Sequence, residues 1–171
     1  RRSELGDYDH TSGVLLHSLV PALLEEGLYQ ADGQILDEVY VYGSFVQSRM
    51  FHAGVTCSDC HEQHTLQLRM PGDQVCLGCH AADRFASEAH HFHKPGSKGA
   101  SCVACHMPET TYMVVDPRRD HSIRIPRPDL SDSLGTPNAC IRCHAGQSNS
   151  WAAEQVRERS RSAYDWFLKC N

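Results

Sequence analysis

The chain has 171 residues, a formal charge of −5 and a mean hydropathy of −0.46, which argue against a nucleic-acid partner and leave no 18-residue apolar run to span a membrane as a helix. Aromatic residues make up only 8%, and Gly and Pro number 12 and 8, so the polypeptide alone has little to bury and is expected to fold only around something other than its own side chains. The residue types in surplus are Cys, 9 in all, and His, 12 in all.

Residues 1–12 are polar and loop-like, and the opening Arg1-Arg2-Ser3, without Met, reads as a mature or trimmed product. Val14 to Glu26 carries Leu15, Leu16, Leu19, Leu23 and Leu24 at helical spacing and predicts a short helix, kinked or split by Pro21 and closed by Gly27. His17 lies beside that stripe, as a packed residue or as a metal ligand. After a turn at Ala31-Asp32-Gly33, the stretch Ile35 to Phe51 predicts a second helix that Gly54 ends, although Val39-Tyr40-Val41-Tyr42 also suits a strand.

From Cys57 to His144 one pattern appears four times: Cys57-Ser58-Asp59-Cys60-His61, Cys76-Leu77-Gly78-Cys79-His80, Cys102-Val103-Ala104-Cys105-His106 and Cys140-Ile141-Arg142-Cys143-His144. Paired Cys alone fit zinc, disulfides or redox dithiols, but none of these needs His directly after the second Cys. With 12 His in 171 residues, four chance placements have a probability on the order of one in 50,000. C-x-x-C-H is the attachment site of a c-type haem: two thiols one helical turn apart bond to the porphyrin edge, and the adjoining imidazole binds iron. The sequence therefore predicts four haems, held by Cys57, Cys60, Cys76, Cys79, Cys102, Cys105, Cys140 and Cys143, with His61, His80, His106 and His144 as proximal ligands.

The first Cys of successive motifs are 19, 26 and 38 residues apart, enough for a turn of helix and a loop but for no sheet of any size. Met70-Pro71-Gly72-Asp73, Lys94-Pro95-Gly96-Ser97, Asp116-Pro117 and Ile125-Pro126-Arg127-Pro128 read as turns. Thr136-Pro137-Asn138 predicts the start of a short helix carrying the fourth motif. Ser150 to Lys169 predicts the clearest helix, with Ala152, Val156, Ala163 and Phe167 on one face. Cys170 stands outside the pairs, as a free thiol or an intermolecular disulfide. The fold class expected is mainly α with extensive irregular loops around a haem core. It divides into an N-terminal segment at 1–51, a tetrahaem region at 52–149 and a C-terminal helix at 150–171.

Eight His remain after the proximal four, which favours an imidazole on both sides of each iron. The distal candidates are His64, His93 and His121, followed by His17 and His91, then His10, His52 and His90. In a helical His90-His91-Phe92-His93 segment, His90 and His93 share a face and His91 points elsewhere.

Val41-Tyr42-Gly43-Ser44-Phe45, Ala53-Gly54-Val55-Thr56 running into the first motif, the 90–93 cluster with Cys102 to Pro108, and Asp120-His121 with Arg127-Pro128-Asp129-Leu130 resemble the haem-rich part of multihaem cytochromes c related to cytochrome c554. Many of those proteins carry further haems upstream and tetratricopeptide repeats downstream. The resemblance covers about residues 1–160 and implies a piece of a larger cytochrome.

The leading expectation is an electron-transfer protein passing electrons between redox partners, in the periplasm or outside the cell, where haem is attached to this motif. Neighbouring cytochrome subunits, in a homo-oligomer or a conductive filament, are alternative partners. A multihaem reductase or oxidase of small nitrogen compounds is the enzymatic alternative; it needs an iron with an open site.

Overall fold

The computed structural model describes residues 24–159. The predicted helix at Val14 to Glu26, with His17, lies outside them except for its last three residues, which are not helical; so do the far half of the C-terminal helix and Cys170. Gly27 does take the left-handed conformation, φ +86°, in the turn that leads to Tyr29.

Helices are short, and four of them hold the motifs. The single helix expected at 35–51 is two: α1 (Val41–Phe45) and α2 (Arg49–His52). Ser48 separates them because its hydroxyl accepts the Phe51 N–H at 3.0 Å and starts a new helix. The four motifs lie on α3 (Cys57–Cys60), α4 (Gln74–Leu77), α7 (Cys102–His106) and α9 (Ala139–Cys143). Between α4 and α7 come α5 (Ala82–Phe85), α6 (Glu88–His91) and a 3₁₀ turn at Lys98–Ala100. After α7 follow α8 (Pro128–Leu134), α9 and α10 (Asn149–Arg159).

Three of the four motif helices, α3, α7 and α9, begin on a side-chain carboxylate or amide. The Asp59 carboxylate accepts from the Thr56 N–H at 2.7 Å and the Thr56 hydroxyl at 2.9 Å, and these bonds hold it below the usual carboxylate range. Asp73, at the head of α4, accepts from Ser101 Oγ at 3.0 Å and Cys102 N at 3.1 Å, so it ties the second motif to the start of the third. The cap of α9 is Asn138, which accepts from Ile141 N at 3.1 Å, rather than Thr136.

The loop between the third and fourth motifs contains a hairpin, β1 (Glu109–Tyr112) and β2 (Asp116–Arg119), with Tyr112 opposite Asp116 and Thr111 opposite Pro117. Asp116-Pro117 is thus in a strand, not a turn; Pro tolerates the edge of a two-stranded ribbon because it needs no partner there. The turn residues Met113 and Val114 have φ of +48° and +70°, and Val114 is 91% exposed.

Among the described residues the buried apolar side chains are few, chiefly Tyr29, Phe45, Ala152 and Pro128, while Gln34, Ser44, Ser48, Asp120, Ser122, Ser131, Thr136 and Asn138 are buried polar groups. Hydrogen bonds knit the segments instead: Gln34 Nε2 to the Pro137 carbonyl at 2.7 Å, Tyr112 OH to the Ile35 carbonyl at 3.3 Å, and Arg124 to the Asp32 carbonyl at 3.1 Å.

Candidate haem-binding site

The motif thiols form a continuous row. Burial, then Asp59 and then Cys79 and Cys57 push the Cys60 thiol up, which places the first two motifs side by side. Cys76 and Cys102 are neighbours, and burial with Asp73 and Cys76 pushes Cys102 up to about 12. Burial, followed by Cys140 and Cys143, raises Cys105. The row therefore runs from motif one to motif four in chain order. All eight are unbridged, and burial raises the pKa of Cys60, Cys76, Cys102, Cys105 and Cys140, which keeps those five as neutral thiols, the wrong form for a thiolate metal cage. Among the described residues no three His, Cys, Asp or Glu gather as one.

Three of the four motif imidazoles face a second imidazole. His61 and His121 have ring centres 6.3 Å apart, His106 and His90 6.0 Å, and His144 and His93 6.1 Å, with interplanar angles of 33°, 12° and 37°. An iron that holds two imidazoles at about 2 Å each, with about 1.1 Å from Nε2 to ring centre, sets those centres about 6.2 Å apart. The residues thus fit a haem iron between each pair.

The ring tautomers fit as well. His61 Nδ1 lies 2.7 Å from the Leu66 carbonyl, His106 Nδ1 2.9 Å from that of Arg124, and His121 Nδ1 2.9 Å from that of Arg119; His93 Nδ1 bonds the His91 carbonyl. A carbonyl only accepts, so each Nδ1 carries the proton and each Nε2 keeps its lone pair for a metal. His91 has the opposite arrangement. Its Nδ1 accepts from His93 N at 3.2 Å, which places the ring proton on Nε2.

Phe92 explains how one cluster serves two motifs. Helix α6 ends at His91, and Phe92 takes φ +60°, turning His93 away from His90 so that the two do not share a face. His90 is a surface residue whose ring sits among Phe85, His91 and His106; desolvation, then His106, holds it below the usual imidazole range and keeps it neutral. Helix α10 braces the fourth motif, with Trp151 against His144 at 5.2 Å and Arg159 over Phe92 at 5.7 Å. Ser148 starts that helix by accepting from Trp151 N at 3.1 Å.

The other candidates are placed differently. His64 is exposed on a turn closed by the Glu62 carboxylate, which accepts from His64 N at 2.9 Å and Thr65 N at 2.8 Å. His52 is exposed beside Phe51, with ring centres 5.6 Å apart. His80 makes no ring contact with a second imidazole among the described residues, although it is near enough to His90 to help lower that ring's pKa; its ring packs edge-on to Phe85 at 5.4 Å, and Phe85 in turn packs on His90 at 5.2 Å. Sequence reading ranked His90 low, and the signal that raises it is the left-handed residue after His91.

Repeated C-x-x-C-H helices in a chain with so small a polypeptide core define a multihaem c-type cytochrome. Two family matches agree: a doubled CXXCH motif over residues 50–85 and cytochrome c552 over residues 84–171. The chain belongs to the cytochrome c552 family. Among solved structures it is similar to the outer cell wall cytochrome OcwA, with a TM-score of 0.56 and 18% identity over 78% of this chain. It spans 40% of that chain's length. No curated protein sequence matches. No helix among the described residues is long and apolar enough to cross a membrane.

Proposed function

We propose that the chain carries four covalently bound c-type haems and relays electrons along them between redox partner proteins, in the periplasm or at the cell exterior. The observation that carries this reading is the set of three imidazole pairs at 6.0 to 6.3 Å. His61 with His121, His106 with His90 and His144 with His93 are the axial ligands assigned on that basis. The His80 iron draws its second ligand from the remaining candidates, of which His17 lies outside the described residues. Covalent haem supplies the one-electron chemistry; the chain's residues set its spacing, orientation and potential. An iron with both axial positions filled changes oxidation state with little change of shape, which suits a carrier. The continuous row of motif thiols supports short steps from each haem to the next. Attachment at C-x-x-C-H takes place outside the cytoplasm, and the similarity to an outer cell wall cytochrome points the same way.

A haem count by pyridine haemochrome with low-temperature EPR tests the reading: four haems per chain, at least three low-spin, are expected. Fewer than four haems, or high-spin iron at the paired sites, overturns it. The edge-on Phe85 at His80 favours one enzymatic alternative, an open iron that acts on small nitrogen compounds. A stoichiometric high-spin signal that shifts on adding nitrite or hydroxylamine would establish that alternative.

A further inference from the structure

We infer that the segment 119–124 is a common support for the axial imidazoles of two irons, and that Ser44 is the positioning residue that holds it. The inference rests on the axial pairs proposed above.

His121 Nδ1 donates to the Arg119 carbonyl and His106 Nδ1 to the Arg124 carbonyl, each at 2.9 Å. His121 faces the first motif and His106 belongs to the third, so hydrogen bonds from two separate sites end on one stretch of six residues. Its backbone is not there by local preference. Ile123 is β-branched yet has φ +44°, a conformation its own side chain disfavours, so the surroundings impose it.

Those surroundings are a buried polar knot. Ser44, fully buried on α1, donates its hydroxyl to Asp120 Oδ1, and Ser122 N donates to the same oxygen at 2.8 Å. Asp120 N donates to the Pro108 carbonyl at 3.0 Å. Arg124 closes the knot, with Nε on Ser122 Oγ at 2.8 Å and ion pairs to Asp32 at 3.4 Å and Asp120 at 3.6 Å. Ser44 is remote in sequence and touches neither imidazole, so it acts only through the segment.

An imidazole that donates a firm Nδ1 hydrogen bond is the more basic ligand and favours ferric iron, which lowers the potential. Loosening the segment weakens both hydrogen bonds at once. Ser44→Ala is therefore expected to raise the potentials of the first and third haems together and to leave the second and fourth where they are. Arg124→Gln, which loosens the knot from its other side, is expected to do the same. Ser131→Ala removes an equally buried serine that has no bond to the segment, and is expected to move no potential.

The experiment is a redox titration of the holoprotein and these variants, followed haem by haem through the ring-methyl NMR signals. Paired upward shifts in either variant support the inference. Unchanged potentials, or a uniform shift of all four that Ser131→Ala reproduces, overturn it while leaving the proposed function standing. If Ser44→Ala does not assemble, Arg124→Gln decides. A native protein whose first and third haems are not bis-imidazole low-spin fails the proposed function itself, and the inference with it.

Discussion

A β-carbon on Gly99 would overlap the ring of His93, which explains why the backbone there carries no side chain. On the proposed assignment, Gly99→Ala is expected to push His93 away from His144 and turn one haem from low-spin to high-spin with the haem count unchanged, as read by EPR. Gly146→Ala, where an added carbon meets nothing within 4 Å, is expected to leave the spectrum as it is. The same measurement separates the distal candidates: on the proposed assignment His90→Ala is expected to give one high-spin iron, whereas His91→Ala, whose ring proton sits on Nε2, gives none. The C-x-x-C-H motifs were legible in the sequence because the pattern is a local rule that needs only adjacency. His121 and His93 already stood among the distal candidates, but which imidazole faces which motif was not legible, because it is decided by the left-handed Phe92, by ring tautomers set through the Leu66, Arg119 and Arg124 carbonyls, and by contacts such as Gly99 on His93. None of these leaves a periodic signal.

Asn138 works at both ends of a junction. It caps α9 through Ile141 N, and its amide donates to Ser131 Oγ on α8 at 3.1 Å and Asn149 Oδ1 on α10 at 2.9 Å. Asn138→Ala is expected to lower the guanidinium unfolding free energy of the holoprotein by about 2 kcal/mol, the sum of a lost cap and stranded partners. The hairpin turn offers the reverse. Val114 sits at φ +70°, where a β-branched side chain costs roughly 1–2 kcal/mol, and Asn tolerates that conformation better. Val114→Asn is expected to stabilise by about 0.5–1 kcal/mol in the same titration, since the residue is exposed and loses no packing. The helix of the fourth motif was readable from Thr136-Pro137-Asn138, although its cap is Asn138 rather than Thr136. The hairpin was hidden, although Thr110-Thr111-Tyr112-Met113-Val114-Val115 is rich in strand formers, because Pro117 drew the reading towards a turn. In the stretch 35–51 the apolar spacing was real, but Ser48 as a mid-stretch cap outweighed it.

The scarcity of buried apolar side chains, with Tyr29, Phe45 and Ala152 among the described residues, bears on the molecule entire. Such a core falls short of the conformational entropy of a chain this long, so the haem-free polypeptide is expected to show no cooperative thermal transition by circular dichroism, while the holoprotein melts as a unit. The way the imidazoles pair carries that point further. On the proposed assignment, a coordinate bond from His61 through iron to His121 closes a loop of about 60 residues, inside which the second and third motifs lie; His93 to His144 closes another of about 50, and the two overlap. The irons then act as stitches across a chain with no disulfide among the described residues, and each stitch draws together stretches that the polypeptide alone holds weakly. A reagent that displaces one distal imidazole would slacken a lace as well as change a spectrum, and resistance to proteolysis would fall first in the overlap between residues 93 and 121.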